Sequence, residues 1–100
     1  EKPRRVYVPT GFSPNDDGNN DWITVFGGPE VEEVKSFVVY DRWGEKVFEN
    51  YNFEPNIETS GWNGFYKNKI MQPGVYIYQY EVEFDDGLLQ SESGDFTLLR

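Results

Sequence analysis

The chain has 100 residues, with 18 acidic and nine basic side chains and neither histidine nor cysteine. That length makes one domain, long enough for a hydrophobic core. Without histidine and cysteine, the commonest general base, the usual zinc ligands, thiol nucleophiles and disulfide bonds are all excluded, which argues against ordinary catalysis. The net charge of −9 argues against binding of nucleic acid, and no apolar run is long enough for a membrane span.

The first half of the chain is patterned as strands. Three segments rich in Val, Ile, Phe, Tyr and Trp, with turn residues at their ends, are predicted as strands: residues 5–8, 22–26 and 35–43. A turn at residues 43–45 then leads into a return strand over 46–48, and Gly44 is available for a positive φ. Residues 30–34 could form one helical turn at most.

The second half contains the longest predicted strand, residues 75–84. One of its faces is aromatic and apolar, carrying Tyr76, Tyr78, Tyr80, Val82 and Phe84. The opposite face carries Gln79, Glu81 and Glu83. This alternation is typical of a half-buried antiparallel strand.

A turn at residues 85–87 leads to a final strand over 88–99, whereas residues 50–72 are predicted to be irregular. About seven short strands without crossover helices predict an all-β fold, an antiparallel immunoglobulin-like β-sandwich. An open barrel is the alternative. We expect residues 1–5 to be a linker from the upstream part of a longer protein and residues 6–100 to form the single domain.

Eighteen aromatic side chains predict a densely aromatic core, because a small sandwich without disulfides needs that burial. The alternative is an exposed platform for stacking sugar rings. Its candidate members are Trp22, Trp43, Trp62 and Tyr66.

Several acids could in principle form a catalytic pair of the glycosidase kind, drawn from Glu81, Glu83, Asp85 and Asp86. The favoured interpretation is that acids on the outer face of an edge strand prevent aggregation. Three further acids are interpreted as a solvated connection: Glu30, Glu32 and Glu33.

The loop over residues 13–23, SPNDDGNNDWI, is a candidate calcium site. The bidentate glutamate of an EF-hand is missing, so only a shorter cage is possible. Its predicted ligands are the side chains of Asn15, Asp17 and Asp21 and the carbonyl of Asn19. The alternative is a polar turn in which Gly18 takes a left-handed conformation and Asn20 or Asp21 caps local amides.

Five segments in order resemble the gliding-motility-associated C-terminal domain, the type B sorting domain of the type IX secretion system of Bacteroidetes. They are VPTGFSPNDDGNND, YDRWGEKVFE, GWNG, PGVYIYQYE and the terminal GDFTLLR, and they extend from about Val6 to Arg100. Asp16 stands where this family more often has glycine, and Asn63 stands where it usually has aspartate.

The resemblance implies a non-enzymatic address label at the end of a secreted or surface protein, exported through the periplasm. Its partner would be the outer-membrane type IX translocon, through a PorP/SprF-like protein, and the domain would be a monomer that neither binds nucleic acid nor inserts into the membrane. The motif residues Arg42, Trp43, Gly44 and Arg100 are candidates for partner recognition or for a structural role. In the structural role, Gly44 supplies the turn, Trp43 anchors it and Arg42 pairs with a nearby acid.

A second function of a different class is a calcium-stabilised adhesion or carbohydrate-binding module. Such a module would bind polysaccharide and lose that binding when one exposed tryptophan is replaced by alanine.

Overall fold

The computed structural model describes residues 5–15, 18 and 21–99. In that part of the chain there are nine strands and one short 3₁₀ turn, Glu58–Ser60. The strands are β1 Val6–Tyr7, β2 Gly11–Phe12, β3 Phe26–Gly27, β4 Val31–Tyr40, β5 Lys46–Phe53, β6 Phe65–Tyr66, β7 Lys69–Ile70, β8 Gly74–Phe84 and β9 Leu89–Leu98. The prediction of about seven strands is therefore slightly low, because it lacked β2 and the short β6–β7 hairpin. The return strand predicted over 46–48 is β5 and extends to Phe53, so residues 50–72 are less irregular than predicted.

A five-stranded sheet in the order β2-β9-β8-β4-β5 forms one layer of the fold. Its long strands pair antiparallel, as predicted, but β2 pairs with β9 in parallel, which corrects the expectation of a purely antiparallel sheet. The pairs β1–β3 and β6–β7 lie outside this sheet. The all-β sandwich class predicted from the sequence is confirmed.

The second layer comes from chain segments with little regular pairing. Ile23 and Trp62 form an isolated antiparallel bridge, and both side chains are buried. The Trp62 ring packs on Tyr76 of β8 and Phe96 of β9, with ring centroids 5.1 Å and 6.2 Å apart. The predicted strand over 22–26 is therefore mostly a core-covering segment, and only Phe26 of it belongs to a regular strand.

Strand β4 begins at Val31, so residues 31–34 belong to the sheet and the one helical turn that the sequence allowed over residues 30–34 does not form. Val31 and Val34 are both buried although they are three residues apart, which is helical spacing. The register of β4 against β8 shifts between Val31 and Glu33 and again between Val34 and Ser36. These irregularities allow the two valines to face the same core.

Two of the three glutamates predicted as a solvated connection are instead part of the sheet, whereas Glu30 lies in the turn before β4. Glu32 and Glu33 belong to β4, and Glu33 lies opposite Glu83 of β8. The Lys35 ammonium lies 2.8 Å from Glu33 Oε1 and 3.3 Å from Glu83 Oε1, so it bridges the two carboxylates. Hydrogen bonds to these glutamates raise the pKa of Lys35.

The alternation predicted for residues 75–84 is confirmed. Tyr76, Tyr80, Val82 and Phe84 are buried on one face of β8, and Tyr78 is partly buried beside them. Burial raises the pKa of Tyr80 to about 12, so its hydroxyl stays protonated at neutral pH. Because β8 lies in the middle of the sheet, the acids on its other face do not protect an edge strand as the sequence suggested.

Candidate recognition surface

The turn between β4 and β5 is held together by Asp41. Its carboxylate Oδ1 accepts hydrogen bonds from the backbone N–H groups of Trp43 and Glu45, each 2.9 Å long. The Gly44 N–H donates to the carbonyl of Asp41 over 3.0 Å, and Gly44 has a φ of +89°. The turn is thus built from an Asx-type cap and a left-handed glycine, as expected for Gly44.

Trp43 does not anchor this turn, and that part of the structural interpretation is wrong. Its side chain is 83% exposed, the highest value among the large apolar side chains that the structure describes. The Cζ atom of Arg42 lies 5.6 Å from the centroid of the indole ring, within cation–π range. The Asp41 carboxylate and the left-handed Gly44 hold the turn, and the indole is left in solvent.

Arg42 reaches across to the start of β8. Its Nη2 atom lies 3.7 Å from the position that a Cβ on Gly74 would occupy. No ion pair joins Arg42 to an acid among the residues that the structure describes, contrary to the expected pairing. The guanidinium therefore lies against the Trp43 ring and near Gly74, and no salt bridge to a described acid neutralises it.

A groove of about 260 Å³ separates this turn from the segment that leads into β8. We call it the Trp43 groove; it is lined by residues 41–43 on one side and 69–76 on the other. Exposed apolar side chains lie along it or next to it: Ile70, Val75 and Ile77. Lys69, which also lines it, forms no ion pair with any acid in the described ranges.

The sequence analysis missed the second side of this groove, although a signal was present. In the predicted strand 75–84, Val75 and Ile77 stand on the face that otherwise carries Gln79, Glu81 and Glu83. Apolar residues on a polar strand face indicate a second contact. The closeness of residues 69–75 to the Arg42 turn depends on the pairing of β4 with β8 and has no local signature.

The prediction that Trp62 belongs to an exposed platform for sugar rings is wrong. This side chain is 1% exposed and donates its indole N–H to the Phe65 carbonyl over 2.8 Å. Trp22 and Tyr66 are partly buried. Of the four candidate platform residues, Trp43 is therefore the one whose ring is largely exposed.

The candidate calcium loop is described only in part. Asp17, Asn19 and Asn20 lie outside the described residues, as does Arg100 of the C-terminal motif. Asp21 Oδ1 accepts the Asn15 N–H over 3.2 Å, Oδ2 accepts the Gly18 N–H over 2.8 Å, and Gly18 has a φ of +84°.

These contacts fit the polar-turn interpretation, because both oxygens of Asp21 already serve backbone amides. Within the described ranges no cluster of three or more acids is placed to hold a metal ion. Calcium binding by Asn15, Asp17, Asn19 and Asp21 stays a prediction.

Comparison with known families identifies the class of this chain. The model of the CHU_C type IX secretion signal domain matches residues 6–98, and the chain belongs to this family. It is a secretion signal domain, a class that implies contact with the secretion machinery, attachment to a cargo, and export to the medium or cell surface. Domains of this class are generally non-enzymatic.

A solved structure has the same overall fold. The crystal structure of CopC from Methylosinus trichosporium OB3b matches with a TM-score of 0.58 at 14% sequence identity, over 95% of this chain and 94% of that one. At this identity the likeness concerns the fold alone. No curated protein matches the chain, and the described residues include no helix long and apolar enough to cross a bilayer.

Proposed function

We propose that this domain is a non-enzymatic label that directs a covalently attached cargo through the type IX secretion system across the outer membrane. The observation that carries the proposal is the family match over residues 6–98, which includes nearly the whole folded chain. The absence of histidine and cysteine from the sequence supports a role without catalysis.

The domain acts as a secretion signal only in its folded state. Its exposed features come from distant parts of the chain, since residues 41–43 and 69–76 meet only when β4 pairs with β8. A surface of this kind does not exist in the unfolded chain, so the domain folds in the periplasm before the translocon recognises it. The partner that reads it is a component of the outer-membrane translocon, of the PorP/SprF-like kind.

The test is export of a foreign passenger. Residues 1–100 are fused behind a fluorescent protein that carries a Sec signal, in a Bacteroidetes host with a working type IX system. We expect the passenger at the surface or in the medium, and we expect it in the periplasm when the domain is omitted or the translocon is disabled. Periplasmic retention of the complete fusion in the competent host, with the matching partner present, would contradict the proposal.

A calcium-stabilised carbohydrate-binding module is the second candidate, favoured by the exposure of Trp43. It predicts that the purified domain binds polysaccharide, that Trp43→Ala abolishes this binding, and that the passenger is not exported. Thermal melts in EDTA and in CaCl₂, with Asp17→Ala as the control, test the calcium part. Equal midpoints with and without calcium would identify the loop as a polar turn only.

A further inference from the structure

The Trp43 groove combines an exposed aromatic ring, an oriented cation and exposed aliphatic side chains at one end of the sheet. We propose that it is the surface by which the domain docks on a protein of the secretion machinery that presents a carboxylate beside an apolar residue. This inference rests on the proposed function and assigns its contact surface.

Large apolar side chains are exposed at the groove or next to it. Trp43 is 83% exposed, and Ile70, Val75 and Ile77 are 60%, 49% and 43% exposed. The fold does not need Trp43 in this place, because Asp41 and Gly44 hold the turn. Tryptophan and arginine are the side chains most enriched at the centres of protein interfaces, and here they are adjacent and in contact.

Charge complementarity favours an acidic partner at this groove. The chain has a net charge of −9, so an acidic partner is repelled by most of its surface. Lys35 and Lys46 are each neutralised by a glutamate. Arg5, Arg42, Lys67 and Lys69 have no acid partner in the described part of the chain. Of these, Arg42 and Lys69 line the groove, where the acid is Asp41, so the groove lining carries two cations against one carboxylate. A carboxylate is therefore steered to this end, where the planar guanidinium can bind it through two hydrogen bonds.

The same charges argue against two other occupants. A second copy of this chain also carries a charge of −9, so association of two copies is opposed by repulsion. A neutral polysaccharide can stack on Trp43 but leaves the charge of Arg42 without a counterpart.

The experiment measures the exported fraction of the fluorescent passenger for three groove variants: Arg42→Glu, Trp43→Ala and Lys69→Glu. Two matched controls lie at the opposite end of β8, roughly 30 Å away by strand geometry. Arg5→Glu makes the same charge change as Arg42→Glu beside the Gly28 and Val31 contacts, and Leu88→Ala removes a side chain that is 58% exposed.

We expect Arg42→Glu and Trp43→Ala each to lower the exported fraction by about tenfold or more, as for central interface residues. We expect a smaller loss for Lys69→Glu and wild-type export for both controls. Export of Arg42→Glu and Trp43→Ala at the wild-type level would overturn the inference, as would equal losses in the controls. Failure of the unmodified fusion to export contradicts the proposed function itself, which separates the two outcomes.

Two further measurements keep the result specific to docking. Thermal melts of the purified variants are expected to match the wild type, and Arg42→Lys, which retains the charge, is expected to restore part of the export. If export falls only in variants whose melting temperature falls in parallel, the groove is not the contact. A dimer of the purified domain that dissociates in Trp43→Ala, or retention on cellulose that Trp43→Ala abolishes, would assign the surface to another occupant and overturn the inference.

Discussion

Two turns of this domain each carry a tryptophan beside a glycine, and the two tryptophans have opposite environments. In the β4–β5 turn Trp43 precedes Gly44 and is 83% exposed. In the second layer Trp62 follows Gly61, is 1% exposed and packs on aromatic rings of β8 and β9. One indole contributes to the stability of the core, and the other is available for contact.

The glycines differ for a related reason. Gly44 has a φ of +89° and open space where a Cβ would stand, so only its backbone conformation requires glycine. Gly61 has a φ of −94°, which any residue can adopt, but a Cβ there would lie 2.0 Å from the Ile23 carbonyl oxygen. Position 44 therefore requires glycine for its positive φ, whereas position 61 requires glycine because there is no room for a side chain.

The largest expected effect is that of Trp62→Ala. Removing an indole that fills the space between the two layers costs transfer free energy and leaves a cavity, so we expect a loss of about 3–5 kcal/mol in the free energy of unfolding. Urea denaturation followed by tyrosine fluorescence or circular dichroism measures it. A loss below 1 kcal/mol would mean that Trp62 is not the centre of the core.

Gly61→Ala is expected to cost about 2–3 kcal/mol, because the new methyl group overlaps the backbone of Ile23 and forces the Ile23–Trp62 bridge apart. The same denaturation experiment measures this loss. Gly61→Ser should be at least as damaging, and a variant as stable as the wild type would contradict the close approach.

Gly44→Ala is the matched substitution in the exposed turn, and we expect it to cost only about 1 kcal/mol. The methyl group meets nothing within 4 Å, so the cost comes from the left-handed conformation alone. Gly44→Asn, which tolerates that conformation better, should recover part of the loss in a thermal melt. A loss equal to that of Gly61→Ala would remove the distinction between the two turns.

Thr24→Val tests the packing beside Gly61 in the opposite direction. Thr24 is fully buried, and its Oγ1 has no hydrogen-bond partner within the described structure. Replacing the hydroxyl by a methyl group of similar size is expected to raise the free energy of unfolding by about 0.5–1 kcal/mol. Thr24→Ser, which keeps the hydroxyl and removes the methyl group, should be destabilising, and a Thr24→Val variant that is less stable than the wild type would indicate an unseen partner.

Trp43→Ala is expected to have the smallest effect on stability, within about 0.5 kcal/mol, because the side chain is exposed and the turn is held by other residues. Acrylamide quenching gives an independent measurement, since removal of Trp43 should eliminate the most accessible part of the tryptophan fluorescence. A destabilisation comparable to that of Trp62→Ala would show that the two turns are equivalent after all.

Local pattern was enough for the strongest elements. The strand 75–84, its buried aromatic face and the Gly44 turn follow from period-two alternation and from glycine at a position that needs a positive φ. Those features depend on residues close together in the sequence, so they can be read from it. Period-two alternation did not predict the start of β4, where the core contact of Val31 and Val34 requires a bulge. The spacing of three residues between these valines resembles that of a helix.

The all-β class, the order of the family motifs and the exclusion of histidine and cysteine chemistry all follow from the amino-acid sequence. The three-dimensional fold was needed to show which tryptophan is buried, because burial depends on the rings that the neighbouring strands bring opposite each indole. It also decided that residues 69–76 lie against the Arg42 turn, since the pairing of β4 with β8 joins segments about 30 residues apart in the chain. The period-two pattern shows on which face of its own strand a side chain lies, but it does not show which residues will pack against that face.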